Sequence, residues 1–197
     1  MKGRNKRRFK KRVCDERTLL NGLKEEIRRI LQNKVIREPP DPGEMKLNTD
    51  SSLQSDSAEP GGVIRDHNGF AIPCYSAEGG VRTVINQELI AIVNGLKICR
   101  QDGIKKVKVA TDSKQVAQII NKKEGRKVEN EVFEIWELMQ QVGQVQAVHA
   151  YREANRTADY LVTLRGSPGC IVLTNPHVDI LDRILAEDRN CRKYVRR

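Results

Sequence analysis

An α/β fold, in which three antiparallel strands lead into a five-stranded mixed sheet flanked by helices, is predicted by three observations. Alternating runs come first, at Met45 to Ser51, Gly62 to Asp66 and Phe70 to Tyr75. The last two are joined by His67-Asn68-Gly69, whose Asn-Gly chemistry suits a hairpin turn. Beyond them, apolar residues recur at helical spacing, and short β-rich runs alternate with those helical stripes. Strand-helix alternation after an antiparallel meander implies a mixed sheet with helices on its faces.

Before the first strand, Leu19, Leu20, Leu23, Ile27, Ile30 and Leu31 recur on one face, predicting an amphipathic helix over residues 16 to 32. Pro39, Pro40 and Pro42 cannot sustain it and favour extended chain, so residues 38–44 form a linker. After the meander, Ile85, Leu89, Ile92, Val93, Leu96 and Cys99 mark a helix that stops at Gly103. Val107 to Thr111 is a strand, and Ser113 can cap the helix holding Val116, Ile119 and Ile120. Val132, Ile135, Trp136 and Met139 form the next helical stripe, with Trp136 expected in the core. Val142 to Tyr151 is the last strand, and Ala158, Leu161 and Val162 mark the last helix of the domain. Gly166 to Pro176 reads as loop and Val178 to Leu185 as a terminal amphipathic helix. The chain therefore divides into a basic arm with its helix (1–37), the linker (38–44), one domain (45–166) and a C-terminal loop, short helix and basic tail (167–197).

With 197 residues and 38% hydrophobic content, the chain can bury one sizeable core. The net charge of +10 lies at the ends: residues 1–12 carry eight Lys or Arg, residues 188–197 contribute +4, and the body between sums to −2. Such ends are either loose contacts to a polyanion or solvated arms. Five scattered cysteines without a Cys-x-x-Cys pair argue against a disulfide framework, and no apolar run suggests a signal peptide or a membrane span. An intracellular protein is expected, in nucleus or cytoplasm, with Met1 to Arg8 readable as a nuclear address.

Four carboxylates interrupt segments otherwise patterned for burial: Asp50, Glu88, Asp112 and Asp159. Asp50 and Asp112 each end a predicted strand, at the sheet edge where open α/β folds place their sites. Glu88 shares a helical face with Ile85 and Ile92, so it points at the sheet. Asp112 before Ser113 also fits a plain helix start. Gathered together, such like charges would repel, and divalent cations would relieve them.

Lys46-Leu47-Asn48-Thr49-Asp50, Gly61 to Gly69, Gln87-Glu88-Leu89, Thr111-Asp112-Ser113 and Tyr151 to Asp159, in this order, resemble the plant branch of type 1 ribonuclease H over roughly residues 44 to 166. The resemblance implies a ribonuclease H-like fold. It implies hydrolysis of the RNA strand of RNA/DNA hybrids, with two Mg²⁺ ions as cofactor, Mn²⁺ being the alternative. Hard divalent ions suit such a site because they prefer oxygen ligands and leave positions for phosphate oxygens. By the same resemblance Asp50 would bridge both ions, Glu88 and Asp112 would hold one, and Asp159 the looser other. Nucleic-acid contacts would come from Ser51, Ser52, Asn86, Lys122, Lys123, Arg126, Lys127, Arg152 and Arg156. The implied partner is thus a hybrid, recognised through groove shape and 2′-hydroxyls, and no membrane; oligomeric state stays open. His149 is read as a strand residue with a satisfied ring, while Asn155 is placed to cap the last helix or to bond a backbone group.

Two departures bear on activity. Ser51 stands where relatives usually carry glycine, so its Cβ could obstruct approach to the hybrid, and the loop Ser52 to Pro60 carries Asp56 and Glu59 in place of glycines. The alternative function is therefore a catalytically weak or inactive nucleic-acid-binding remnant. The basic N-terminus and Pro-rich linker resemble the spacer of plant non-LTR retrotransposon polyproteins.

Overall fold

The computed structural model describes residues 34–36, 39–53, 57–80, 83–122, 130–163, 170–174, 179–189 and 193–195. The arm at 1–12, the helix expected over 16–32 and residues 123–127 lie outside the described residues.

Eight strands and five helices are described: β1 (Lys34–Ile36), β2 (Met45–Leu53), β3 (Ala58–Arg65), β4 (Ala71–Ala77), α1 (Val84–Gln101), β5 (Lys106–Thr111), α2 (Lys114–Lys122), α3 (Asn130–Val142), β6 (Gln144–His149), α4 (Arg156–Leu161), β7 (Cys170–Thr174), α5 (Asp179–Arg189) and β8 (Lys193–Val195). The main sheet has the order β6-β5-β2-β3-β4-β7. The meander β2, β3 and β4 is antiparallel, whereas β2, β5 and β6 run parallel. Parallel neighbours need a crossover, and α1 supplies one between β4 and β5 while α2 and α3 supply the other.

Two expectations need adjusting. The five expected strands are present, but residues 170–174, expected as loop, pair antiparallel with β4 and extend the sheet to six. Those residues, Cys-Ile-Val-Leu-Thr, are β-branched and apolar, and the flanking Gly and Pro concealed the run. The segment expected as the loop Ser52 to Pro60 is largely ladder, because Ser52 pairs with Glu59 and Leu53 with Ala58. Apart from the main sheet, β1 pairs antiparallel with β8.

The pleat gives the sheet two buried faces. On one, Leu47, Ile64, Tyr75 and Val109 pack with Leu89, Ile92 and Leu96 of α1 and with apolar positions of α2 and α3. On the other, Val63 and Cys74 meet Leu161 of α4 and Leu181 and Leu185 of α5. Each fully buried Leu or Ile contributes about 1.5–3 kcal/mol, so the larger cluster dominates stability. Trp136 packs against that cluster as expected, donating from Nε1 to the Ile120 carbonyl at 3.0 Å.

One contact matters for the site. The Tyr75 hydroxyl donates to the Ala91 carbonyl at 2.5 Å. A Cβ added at Gly62 would lie 2.5 Å from that hydroxyl oxygen, and one at Gly95 would lie 2.6 Å from the Leu47 methyls. Both glycines therefore let α1 lie close on the sheet. Glu88 is two turns before Gly95 on the same helical face, so this close approach presses its carboxylate onto the end of β2.

Candidate metal centre

β2 and β5 are parallel neighbours, and Asn48 pairs with Ala110. Two residues further along each chain come Asp50 and Asp112, which therefore emerge side by side at one sheet edge. Glu88 reaches them from α1. One carboxylate oxygen from each of Asp50, Glu88 and Asp112 lies within 4.8 Å of the others. Asp50 and Glu88 are each only 4% exposed, and Asp112 is partly buried.

Burial and mutual repulsion set the electrostatics. Loss of water, then the charges of Asp112 and Asp159, pushes the Asp50 carboxyl up to about 7, against a restraining bond from the Ser51 amide. Burial likewise lifts Glu88 to about 7, with Asp112 and Asp50 adding to it and two hydroxyls opposing it. Asp112 is raised chiefly by burial, although Arg152 and His149 draw it back.

The Ser51 amide donates to Asp50 Oδ1 at 2.8 Å, and its hydroxyl donates to Glu88 Oε1 at 2.8 Å. Thr111 Oγ1 donates to Glu88 Oε2 at 3.2 Å. Asp50 Oδ2 is buried and has no hydrogen-bond partner among the described residues. A buried carboxylate oxygen without a donor is costly, and a cation at the cluster would satisfy it. The three side chains offer oxygen only, which suits a hard divalent ion such as Mg²⁺ or Mn²⁺ over zinc.

Asp159, on α4, borders this trio and is absent from it. Its side chain is 43% exposed and accepts from Arg152 Nη2 at 2.9 Å. Its charge still raises both Asp50 and Asp112, so it lies within electrostatic reach. Arg152 is expected from sequence to contact phosphate; it sits at the rim, stabilising the charged forms of Asp50 and Asp112. His149 ends β6 beside Thr111, with its ring edge-on to Tyr151 at 5.1 Å. It is a partly buried residue of the strand, as the sequence places it.

The other expected contacts are spread. Ser52 lies on β2, partly exposed, beyond the acidic edge. Asn86 is buried in the first turn of α1, where the Thr83 hydroxyl meets both its amide group and its backbone N–H. Arg156 donates to Glu187 of α5 at 2.8 Å, which ties it to α5. Lys122 closes α2, while Lys123, Arg126 and Lys127 lie outside the described residues. Ser113 caps α2 as expected, accepting from the Val116 amide at 3.2 Å. Asn155 stands at the start of α4 without a side-chain cap bond and donates to the Thr49 carbonyl at 2.7 Å. Thr111 stood in the sequence motif with no role of its own; a hydroxyl just before a strand-ending acid was the available signal.

A family model described as reverse transcriptase-like matches residues 48–164. No curated protein sequence matches the chain. Among solved structures, the fold is similar to LC11-RNase H1, isolated from compost and solved in complex with an RNA/DNA hybrid, at 25% identity and TM-score 0.56, covering 61% of this chain and 94% of that one. It is also similar to RNase H1 from the archaeon Halobacterium salinarum, at 18% identity and TM-score 0.55 over 60% of this chain and 93% of that one. An N-terminal RNase H domain from Mycobacterium tuberculosis matches at 17% identity and TM-score 0.56, over 61% and 91% respectively. With its strand order, its acidic sheet edge and a family match spanning all four carboxylates, the chain belongs to the reverse transcriptase-like family and carries a ribonuclease H-like domain.

Proposed function

We propose that this chain is a metal-dependent endonuclease that hydrolyses the RNA strand of RNA/DNA hybrids. The observation that carries the reading is the convergence of Asp50, Glu88 and Asp112, oxygen ligands alone, with the buried Asp50 Oδ2 left without a donor among the described residues. The hybrid-bound relative LC11-RNase H1 supports the substrate.

In this reading Asp50 would serve both ions, Glu88 and Asp112 would complete the tighter position, and Asp159 would serve the looser one. Bound divalent ions would supply a water of lowered pKa and charge stabilisation at the departing oxygen. The chain's own residues prepare that chemistry. Ser51 and Thr111 hold both Glu88 oxygens by hydroxyl bonds, which favour the ionised form and fix its rotamer. The Ser51 hydroxyl is thereby turned down to Glu88, which favours an intact site despite the departure from glycine. Arg152, 73% exposed in its side chain, is free to exchange its Asp159 contact for a substrate phosphate. A plant retrotransposon origin is part of this reading, supported by the resemblance of the basic N-terminus and Pro-rich linker to the spacer of such polyproteins.

A second reading, a hybrid-binding module of little turnover, is favoured by Glu59 standing opposite Ser52 on the strand pair beside the site, where it would repel phosphate. Cleavage of end-labelled hybrid in Mg²⁺ decides between them. The nuclease reading expects internal RNA cuts that vanish with chelator and fall by about 10²- to 10³-fold or more in Asp50→Asn, the scale on which removing one electrostatic stabiliser acts. Uncut RNA with tight, salt-sensitive binding would establish the second reading.

A further inference from the structure

α4 has six residues, too few to fix its own position, yet it carries Asp159. What fixes it is a buried polar network. Asn155, 1% exposed, uses both ends of its amide on β2: Oδ1 accepts from Asn48 Nδ2 at 3.0 Å and Nδ2 donates to the Thr49 carbonyl at 2.7 Å. The Asn155 carbonyl accepts the Asp159 amide at 3.1 Å, as the first bond of the helix. Arg65 of β3 closes the ring, donating to Asn48 Oδ1 at 3.2 Å and to Thr157 Oγ1 at 2.5 Å. Asn48, Arg65 and Thr157 are each 1% exposed.

Asn48 and Thr49 are the two residues preceding Asp50. One side chain therefore spans from the strand that presents Asp50 to the turn that presents Asp159. We infer that Asn155 is a positioning residue that sets the separation of Asp159 from Asp50, and through it the affinity of the looser ion position; the inference rests on the metal-dependent reading above. The amide is suited to this because one end must donate and the other accept, and the short, planar Asn side chain supplies both without a titrating group. Without it, Asn48 Nδ2 and the Thr49 carbonyl lose their partner in a dry site, and α4 can slide along the sheet.

The test is a titration of the full chain with Mn²⁺, counting bound ions by electron paramagnetic resonance. The native chain should hold two ions of unequal affinity. Asn155→Ala should weaken the looser one about 10- to 100-fold, the usual cost of removing an outer-shell partner, and leave the tighter one as in the native chain. In an Asp159→Asn background the same substitution should have no further effect on ion binding. Leu138→Ala, a core change on α3, should lower thermal stability while keeping both ions, which separates positioning from general destabilisation. If Asn155→Ala does not fold, Asn155→Ser and Asn48→Ala each remove part of the bridge and should weaken the looser ion in the same way. Retention of both affinities in the folded variants, or a native chain that holds one ion, overturns the inference and leaves the nuclease standing. A native chain that holds no ion overturns the nuclease reading itself, and the positioning role with it.

Discussion

The buried trio and Asp159 differ in how the fold holds them. Asp50, Glu88 and Asp112 come from two adjoining parallel strands and a long helix packed on them, so their approach is imposed by the largest core cluster. Asp159 rides on a six-residue helix above the smaller cluster, is partly exposed, and spends its charge on Arg152. The difference teaches that one acidic site can combine an ion position built into the core with another hung on a few hydrogen bonds. The first resists change; the second can be tuned.

The sharpest way to break this contrast is through the charges themselves. Asp50 and Glu88 have carboxyls raised from 3.8 and 4.5 to about 7, so the folded chain binds more protons than the unfolded one between about pH 4 and 7. Stability of the ion-free protein should therefore fall as pH rises through that window and level off above it. Asp50→Asn removes one of these charges and should stabilise the ion-free chain at pH 8, by on the order of 2–4 kcal/mol, while abolishing any thermal shift from added Mg²⁺. Denaturant melts at pH 5 and pH 8, each with chelator or Mg²⁺, check both signs. A native chain that is most stable at pH 8 without ions would mean that the trio is not frustrated.

A smaller effect is expected at Asp159. Asp159→Asn should lower hybrid cleavage by about 10-fold, well short of the loss in Asp50→Asn, because a looser ligand contributes less to the shared site. Rates in Mg²⁺ measured side by side would test this ordering, and equal losses would erase the distinction between the two regions.

The smallest effect concerns Ser51. Ser51→Gly removes the hydroxyl bond to Glu88 but keeps the amide bond to Asp50 and the bond from Thr111. Losing one hydrogen bond to a charged group corresponds to about 1.5–3 kcal/mol at most, and the Thr111 hydroxyl still holds Glu88, so affinity for the tighter ion should weaken by only roughly 3- to 5-fold. Calorimetric titration with Mn²⁺ reads it directly. A gain in affinity would show instead that the hydroxyl competes with the ion for Glu88.

Much of this was legible before any coordinates. The alternation of β2, β3 and β4, the Asn-Gly turn and the apolar stripe of α1 each follow a local period, and local periods survive folding. Asp66 illustrates it: its Oδ1 accepts from the Asn68 and Phe70 amides at 3.0 and 2.8 Å, closing the turn as short-range chemistry requires. β7 was hidden because a five-residue edge strand between Gly and Pro segments has too short a pattern to stand apart from loop. The four acids were visible as charges in apolar surroundings. Their unequal standing was not, since exposure and the Arg152 contact depend on how α4 lies against the sheet.

What the linear chain determined by itself is chemical type: which segments can be strand or helix, and that oxygen ligands end them. What only the tertiary structure decided is distance. Residues 50, 88 and 112 become neighbours because parallel pairing of β2 with β5 and the close seat of α1 at Gly62 and Gly95 bring them to one edge. Asn155 came to bridge two strand residues 106 and 107 positions earlier. Long-range packing sets such separations to within an ångström, and no local preference of the chain encodes them.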